Sequence, residues 1–519
     1  MGGGLLQLVA YGAQDAYITG NPHITFWKVL FKRHTNFAIE AFRVNFTGAP
    51  NYGQRLVAVV NRNADLIWKT YVEVVLPDTY TGQATPIYWS GDDQRRIGYL
   101  LLKKIELEIG GQIIDTHYGE WLYLWECLTA NFDTSVKLDS MVGGLYNGSY
   151  TTATSCGGRP AVLYIPLQFW FCRNPGLALP LIALQYHEVR FNITLGAATD
   201  LVSKTGFTSI ARAAAALPDI PDMSLYMDYV YLDVEERRRF AQASHEYLIE
   251  QLQTGIPQTI NTAAGRLDLT LNHPVKELIW VFQDARKTDC GSVVSETVGY
   301  TQPFTYDDIV FKARIQINGQ DRFDERYGDY FWKVQPYQHH TGGAFWPIHN
   351  AVATTAASAA GGAIQAAFTA SISGNLMTVS AVGSGTLVVN MLVTGAGVPL
   401  GTYIRGYGTG AGSTGTYEIN LQTQVGSISM VGSLNNVQSQ TTFNPINVYS
   451  FAISPEEHQP SGSCNFSRID TATLVYDSIT SGGAGNFPSK AYPYNFRVYA
   501  VNYNIFRIMS GMGGLAYSN

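Results

Sequence analysis

One stretch occurs twice in the chain, and this limits its possible folds more than any other feature. The first copy runs Ile105-Glu106-Leu107-Glu108-Ile109-Gly110-Gly111-Gln112 and resumes at Tyr118-Gly119-Glu120-Trp121. The second runs Ala313-Arg314-Ile315-Gln316-Ile317-Asn318-Gly319-Gln320 and resumes at Tyr327-Gly328-Asp329-Tyr330. The strand parts lie 208 positions apart and the Tyr-Gly-acid-aromatic parts 209. Ile105, Leu107 and Ile109 alternate with Glu106 and Glu108, the period of a half-buried strand. A repeat at about a domain length indicates one β-domain used twice.

The rest of the chain fits that plan. Strand patterning is read at 37–46, 55–60, 65–76, 163–171, 179–184, 186–195 and 226–234, with a hairpin turn at Asn61-Arg62-Asn63-Ala64. The stretch 131–160, rich in Gly, Ser and Thr, reads as a long loop. Residues 1–24 read as an N-terminal arm, 25–234 as a first domain, 235–253 as a linker and 254–519 as a second domain. In the linker the run Glu235-Glu236-Arg237-Arg238-Arg239 reads as a solvated or ion-paired face. Phe240, Tyr247, Leu248 and Leu252 recur at near-helical spacing, which predicts a turn or two of helix there. In the second domain, strand patterning returns at 267–271, 278–282, 447–453, 468–476 and 496–508.

The halves differ in length. Tyr118 to Val189 spans 71 positions, but Tyr327 to Leu474 spans 147. The excess matches a segment built from Ala, Gly, Ser, Thr and Val. It reads as an inserted β-rich module at 354–434 with short strands at 376–382, 386–393, 401–404 and 415–421. Two all-β domains with long loops fit double-sheet sandwiches such as jelly rolls.

Composition narrows the function classes. Charged residues make up only 14% of the 519 residues, well below the usual quarter, which suits a surface largely covered by copies of the same chain. A net charge of −6 argues against direct nucleic-acid binding through phosphates. Cys127, Cys156, Cys172, Cys290 and Cys464 form no Cys-x-x-Cys pair, so neither zinc nor a disulfide framework is signalled. No apolar run reaches the roughly 18 residues of a membrane span.

No catalytic constellation emerges, and the expectation is a non-enzyme without cofactor or metal. His245-Glu246-Tyr247-Leu248-Ile249 lacks the second His of a zinc protease, and there is no Gly-x-Ser-x-Gly or Gly-Lys pair. His339, His340 and His349 read as hydrogen-bonding loop residues in preference to metal ligands. Asn45, Asn147, Asn192 and Asn465 stand in Asn-x-Ser/Thr sequons, read as chance occurrences before glycosylation sites.

Several stretches resemble one family. They are residues 7–15, residues 176–188, which contain Leu179-Pro180-Leu181-Ile182-Ala183-Leu184-Gln185-Tyr186-His187-Glu188, and Gln459-Pro460-Ser461-Gly462-Ser463-Cys464-Asn465-Phe466-Ser467-Arg468-Ile469-Asp470. Residues 507–517 and the linker 236–253 are similar too. The chain resembles the double jelly-roll major capsid proteins of nucleocytoplasmic large DNA viruses, nearest to those of algal viruses, everywhere outside about 354–434. The resemblance implies two tandem eight-stranded jelly rolls with short helices in loops. It further implies a homotrimeric, pseudo-hexagonal capsomer that tiles an icosahedral virion shell assembled in the host cytoplasm. Neighbouring capsomers, minor capsid and penton proteins would be partners, with an inner membrane reached through the minor proteins. The insertion would face outward. A rival reading makes it an adhesin for host surface glycans, with Trp89, Tyr146, Trp346 and Tyr407 as stacking platforms. Glu456, Gln459, Pro460, Gly462, Arg468 and Asp470 form the polar signature of the second domain. Arg468 and Asp470 are expected two apart on a strand, in a network that locks a loop.

Overall fold

The computed structural model describes residues 4, 10, 12–23, 25–27, 33–79, 87–89, 96–143, 162–203, 208–262, 264–292, 301, 303–342, 364–387, 391–399, 402–410, 412–434, 445–478 and 493–517. Each half winds two antiparallel sheets in the same order. In the first half, Phe37–Asn45 pairs with Asp222–Leu232, then Leu66–Val75, then Val162–Pro166. The facing sheet runs Arg55–Val59, Val189–Leu195, Leu102–Ile109, Gln112–Tyr118. In the second half, His245–Thr254, Tyr494–Met509, Pro274–Asp284 and Asn447–Ser450 lie in one sheet. Ala264–Asp268, Ala472–Ser478, Val310–Ile317 and Gln320–Asp321 lie in the other. Counted in chain order along these paths, both halves read 1-8-3-6 over 2-7-4-5. That is the jelly-roll winding, used twice.

The repeated stretch occupies the same place in both sandwiches. Ile105, Leu107 and Ile109 are buried in the first, Ala313 and Ile315 in the second. Gly110 and Gly111 turn with φ of 59° and 86°, and Asn318 and Gly319 with 50° and 78°. Two successive positive φ values match the twist of a tight hairpin, which is why Gly and Asn stand there. The glycine that follows the tyrosine in each copy has a different reason. A Cβ on Gly119 would stand 1.9 Å from Tyr99 O and 2.5 Å from Leu102 O; one on Gly328 would stand 2.1 Å from Val310 O. Both glycines therefore let a helical segment start against backbone: Gly119–Thr129 in the first sandwich, and Tyr330–Val334 running into Gln335–His339 in the second.

Several expectations are corrected. Residues 61–64 are not a hairpin, because Arg55–Val59 and Leu66–Val75 belong to opposite sheets and the chain crosses between them. The stretch after Asn131 is not all loop. It opens with helix Phe132–Val142, whose first turn is capped by Asn131 (3.0 Å from Thr134 N) and which ends at Gly143 with φ 83°. The predicted strand 163–171 stops at Pro166, and Trp170–Arg173 is a helical turn. In the linker, the charged run is itself the helix, Val234–Gln242, while His245–Thr254 is a strand of the second sandwich. Arg237 pairs with Asp65 at 3.0 Å and Arg238 with Glu235 at 2.8 Å. The described part of the arm forms two exposed helical turns, Ala13–Asp15 and Ala16–Thr19.

Residues 364–434 build a separate four-stranded sheet. Its frame is two long paired strands, Ile364–Ser384 and Gly415–Leu434, in place of the short ones expected. Phe368, Ile372, Met377, Met391, Tyr417 and Met430 give it a core of its own.

Replacing Gly119 or Gly328 with alanine is expected to destabilise the chain by about 1–3 kcal/mol, because the carbonyl met by the methyl group is fixed in a sheet or helix. Scanning calorimetry of G119A and G328A checks this, with Gly111→Ala reporting the separate cost of a positive φ.

Candidate functional site, the seam between the sandwiches

The two sandwiches are fused through a buried seam. Along strand Pro274–Asp284, Leu278, Trp280 and Phe282 point into the second sandwich's own core. Ile279 and Val281, between them, join the core of the first. The same split divides Phe496, Val498 and Ala500 from Tyr499 and Val501. The outer face of this sheet is therefore covered by the first sandwich.

Helix Gly119–Thr129 supplies part of the cover. Trp121 lies 5.8 Å from the ring of Tyr499, and Tyr123 stacks on Phe304 at 4.9 Å. Glu120, the acid of the first repeat, sits at the centre. Its carboxylate accepts from Arg497 at 2.6 Å and Tyr306 at 3.0 Å, and also from the hydroxyl of Tyr499. Arg497 reaches on to Gln283 Oε1 at 2.5 Å. Burial would push the Arg497 guanidinium down, but Glu120, together with Tyr499 and Tyr306, outweighs it and raises it. Burial, reinforced by Glu120, drives the phenols of Tyr306 and Tyr499 well up.

A second buried charge group lies alongside. Lys276, fully buried, stands 2.7 Å from Glu250, whose other oxygen is 3.1 Å from Arg173 of the first sandwich. Burial lowers Lys276 against the pull of Glu250. Arg173 also lies 4.8 Å over Trp125. At the edge of the seam, Gln251 donates to Ile114 O, and Leu252 N donates to Asp115 at 3.2 Å. Two of the family-like stretches meet here: Tyr186 N donates to Gly511 O at 3.0 Å, and Gly513 N to His187 Nδ1 at 3.2 Å.

The polar signature is only partly brought together. Glu456 is its centre. It accepts from Thr341 N at 2.9 Å, lies 2.7 Å from the Thr341 hydroxyl and faces His340 Nδ1 at 3.1 Å. His340 is buried, and its Nε2 is 3.1 Å from the buried Glu277, an ion pair not aligned as a hydrogen bond. Burial opposes the imidazolium, yet Glu277 and then Glu456 push His340 up to about 9. His340, with Thr341, in turn holds Glu456 below the usual carboxylate range although burial alone would raise it. Thr341 Oγ1 is 3.0 Å from Thr129 O, and Gly342 N donates to Leu128 O at 2.8 Å, so this lock ends on the last carbonyls of the seam helix.

The other signature residues stand apart from Glu456. Gly462, with φ 143°, leaves no room for a Cβ, which would meet Phe451 O at 2.7 Å. Asp470 is held through its backbone, by Asn318 Oδ1 at 3.0 Å. Arg468 ends the 3-10 turn Phe466–Arg468, so it and Asp470 do not share a strand. Arg468, Gln459 and Pro460 are exposed and have no hydrogen-bond or ion-pair partner among the described residues. What sequence reasoning missed is the seam itself. Only Glu120 carried a signal, through its place in the repeat.

The remaining candidates fall as follows. His339 binds Ile453 O at 3.0 Å; His349, Cys156, Asn147, Tyr146 and Trp346 lie outside the described residues. Asn192 is buried and donates to Glu108 at 2.9 Å, which removes it as a glycan acceptor in the folded chain. Asn45 and Asn465 are exposed. Trp89 is buried, so it offers no sugar platform, while Tyr407 is 44% exposed. Burial pushes the Cys127 and Cys172 thiols up to about 11. Among the described residues, no three His, Cys, Asp or Glu side chains converge as metal ligands, and no helix is long and apolar enough to cross a membrane.

Comparison with known proteins agrees with this geometry. A family model described as major capsid protein N-terminus matches residues 25–233. One described as large eukaryotic DNA virus major capsid protein matches 236–350 and 429–514. The chain is 40% identical to the major capsid protein of Pyramimonas orientalis virus and 35% identical to that of Paramecium bursaria Chlorella virus 1, with all of each chain covered. Among solved structures it is similar to the PBCV-1 virus capsid, quasi-atomic model, with TM-score 0.62, 31% identity, and 95% and 100% of the two chains covered. The Faustovirus major capsid protein shares the fold at 11% identity, with TM-score 0.58 and 96% and 94% covered.

Two outcomes are expected. Glu120→Ala leaves the partly buried Arg497 charged without its carboxylate partner, at a cost of about 1–3 kcal/mol, whereas the double variant Glu120→Leu/Arg497→Met recovers most of it; urea denaturation compares them. His340 is raised above its free value of about 6.5, so its contribution is complete below that pH and is lost as the pH rises through about 9. The melting advantage of the parent chain over His340→Gln should shrink across that window.

Proposed function

The chain belongs to the large eukaryotic DNA virus major capsid protein family, and on that premise we propose that three copies close into one capsomer with six sandwiches around its axis. Capsomers of this kind tile the virion shell, and the chain acts there as a structural subunit without catalysis. The observation that carries the reading is the single winding used twice in one chain and fused through a seam that joins unlike surfaces. Duplication gives a three-fold oligomer six similar sides.

In this reading the chain divides as an arm at 1–24, a first sandwich at 25–234, a linker at 235–244 and a second sandwich that opens with the strand His245–Thr254 and runs to 519. The unit 354–434 is threaded into the second sandwich and faces outward. Support comes from the separate core of that sheet and from the gap between the two matches of the second family model. Neighbouring capsomers, minor capsid and penton proteins are the partners, the inner membrane is reached through the minor proteins, and assembly takes place in the host cytoplasm. Glu456 holds the loop that caps the seam helix, which gives part of the signature a structural role. The adhesin alternative gains no support from its proposed platforms.

Size-exclusion chromatography with light scattering tests the proposal. The expected mass is three times that of the 57.0-kDa chain. A chain that stays at one times that mass across micromolar concentrations would overturn it.

A further inference from the structure

Lys276 is a primary amine sealed from solvent in the seam. It is the extra residue of a β-bulge. Val275 lies opposite Asn502 and Glu277 opposite Val501, so Lys276 has no register partner on the strand Tyr494–Met509. The bulge resets the alternation of its own strand. Val275 and Leu278 both face the core of the second sandwich, so the two residues between them, Lys276 and Glu277, both turn to the seam side. An amine and a carboxylate stand side by side there, and neither is exposed.

The amine meets a second carboxylate across the sheet. Strands His245–Thr254 and Pro274–Asp284 flank Tyr494–Met509 on its two sides. From these strands Glu250 and Lys276 reach over Tyr503, and Lys276 Nζ comes to 2.7 Å from Glu250 Oε1. The contact lacks the angles of a hydrogen bond. Burial pulls the ammonium down toward the neutral, nucleophilic amine. Arg173 lies 3.1 Å from Glu250 Oε2, and His458 Nδ1 lies 3.9 Å from Oε1. Neither oxygen of Glu277 has a hydrogen-bond partner among the described residues, and His340 Nε2 stands 3.1 Å from its Oε2.

We propose that Lys276 and Glu250 condense to an amide, a covalent staple that the folded chain makes for itself. Lys276 gives one proton to Glu250 Oε1, which leaves a neutral amine facing a neutral acid. The Nζ lone pair then attacks Glu250 Cδ, and Arg173 holds the negative charge that gathers on Oε2. Glu277 takes a second proton from Nζ and returns it to Oε1. The Cδ–Oε1 bond breaks, water leaves, and the Cδ–Nζ bond remains. An ammonium and a carboxylate have become a neutral amide and one water, so atoms and charge balance with no co-reactant. Burial drives the step, because a neutral amide costs less to keep out of water than two charges. The fixed approach of the two groups supplies the effective concentration that the reaction lacks in free solution. The staple joins two strands that are not neighbours in the sheet and crosses the last long strand of the chain between them. It forms once, acts on no other molecule, and does not depend on how many copies assemble.

Intact-mass spectrometry of the folded full chain, opened in denaturant just before measurement, tests the staple. The parent should fall short of its sequence mass by one water. Its tryptic digest should hold a branched peptide that joins Glu250 to Lys276, with no cleavage after Lys276. Lys276→Met should carry its full sequence mass. Glu277→Gln keeps both reacting groups and should match the parent in far-UV circular dichroism, but form the staple roughly a hundredfold more slowly. A parent at full sequence mass, with ordinary cleavage after Lys276, overturns the proposal. So does a water lost equally from Lys276→Met, which would place the dehydration elsewhere. Staple formation in Glu277→Gln at the parent's rate overturns the role of Glu277 alone.

Discussion

A carboxylate taken out of water has to be matched, and Glu120 is matched only if the second sandwich arrives in one orientation. Arg497 and Tyr499 come from one strand of the second half and Tyr306 from a separate segment, and all converge on its two oxygens. Apolar seam residues such as Trp121 and Val281 supply most of the driving force, yet they tolerate sliding and rotation. A buried acid that needs three donors does not. The Lys276–Glu250–Arg173 group applies the same demand at a second point, and two such points fix an angle. Replacing buried ion pairs with apolar residues often raises stability, so these charges make sense as devices that set geometry. A capsid subunit that must meet neighbouring copies in a shell needs its internal angle fixed more than it needs extra stability.

The same logic explains how the loop at Glu456 takes part without touching the second repeat's acid. Its carboxylate orders His340 and Thr341, and the next residue, Gly342, binds the end of the seam helix. The helix is thereby held near its start, where Glu120 meets the second sandwich, and at its last carbonyls. One long helix side chain pattern and one loop are coupled through backbone groups that would otherwise be left without partners.

Much of the fold was legible because duplication leaves local marks. The paired positive-φ turns at Gly110-Gly111 and Asn318-Gly319, and the glycines pressed on backbone at 119 and 328, are dictated by sterics within a few residues. Long-range choices were not legible. Nothing local tells residues 61–64 to cross between sheets where a hairpin would serve equally well. Helix Phe132–Val142 lay hidden because Thr134 and Ser135, poor helix formers, sit in its first turn. Its anchor, Arg96 bound to Glu126 at 3.1 Å and to Asp139, is contributed from outside the segment. His245–Thr254 looked helical because Tyr247, Ile249 and Leu252 all pack on the core of the first sandwich and Glu250 and Gln251 are buried between them, which erases the period of two. Arg468 was misplaced by treating a 3-10 turn as the start of the strand at Ala472–Ser478.

The seam was invisible for a related reason. A strand that packs on both faces reads as a continuous apolar run, and Pro274–Asp284 is buried almost from end to end. Sequence alone cannot say that one of those faces belongs to another domain. The contrast between the halves carries that information. Where the second sandwich has Ile279, Val281 and Val501 facing outward, the first has Tyr71 and Tyr226 with Lys69 and Glu73 beside them. Aromatic and charged side chains can stand in water before a partner arrives, whereas an aliphatic face cannot. The seam, which forms while the chain folds, can therefore be aliphatic, whereas the face left open keeps tyrosine hydroxyls and flanking charge.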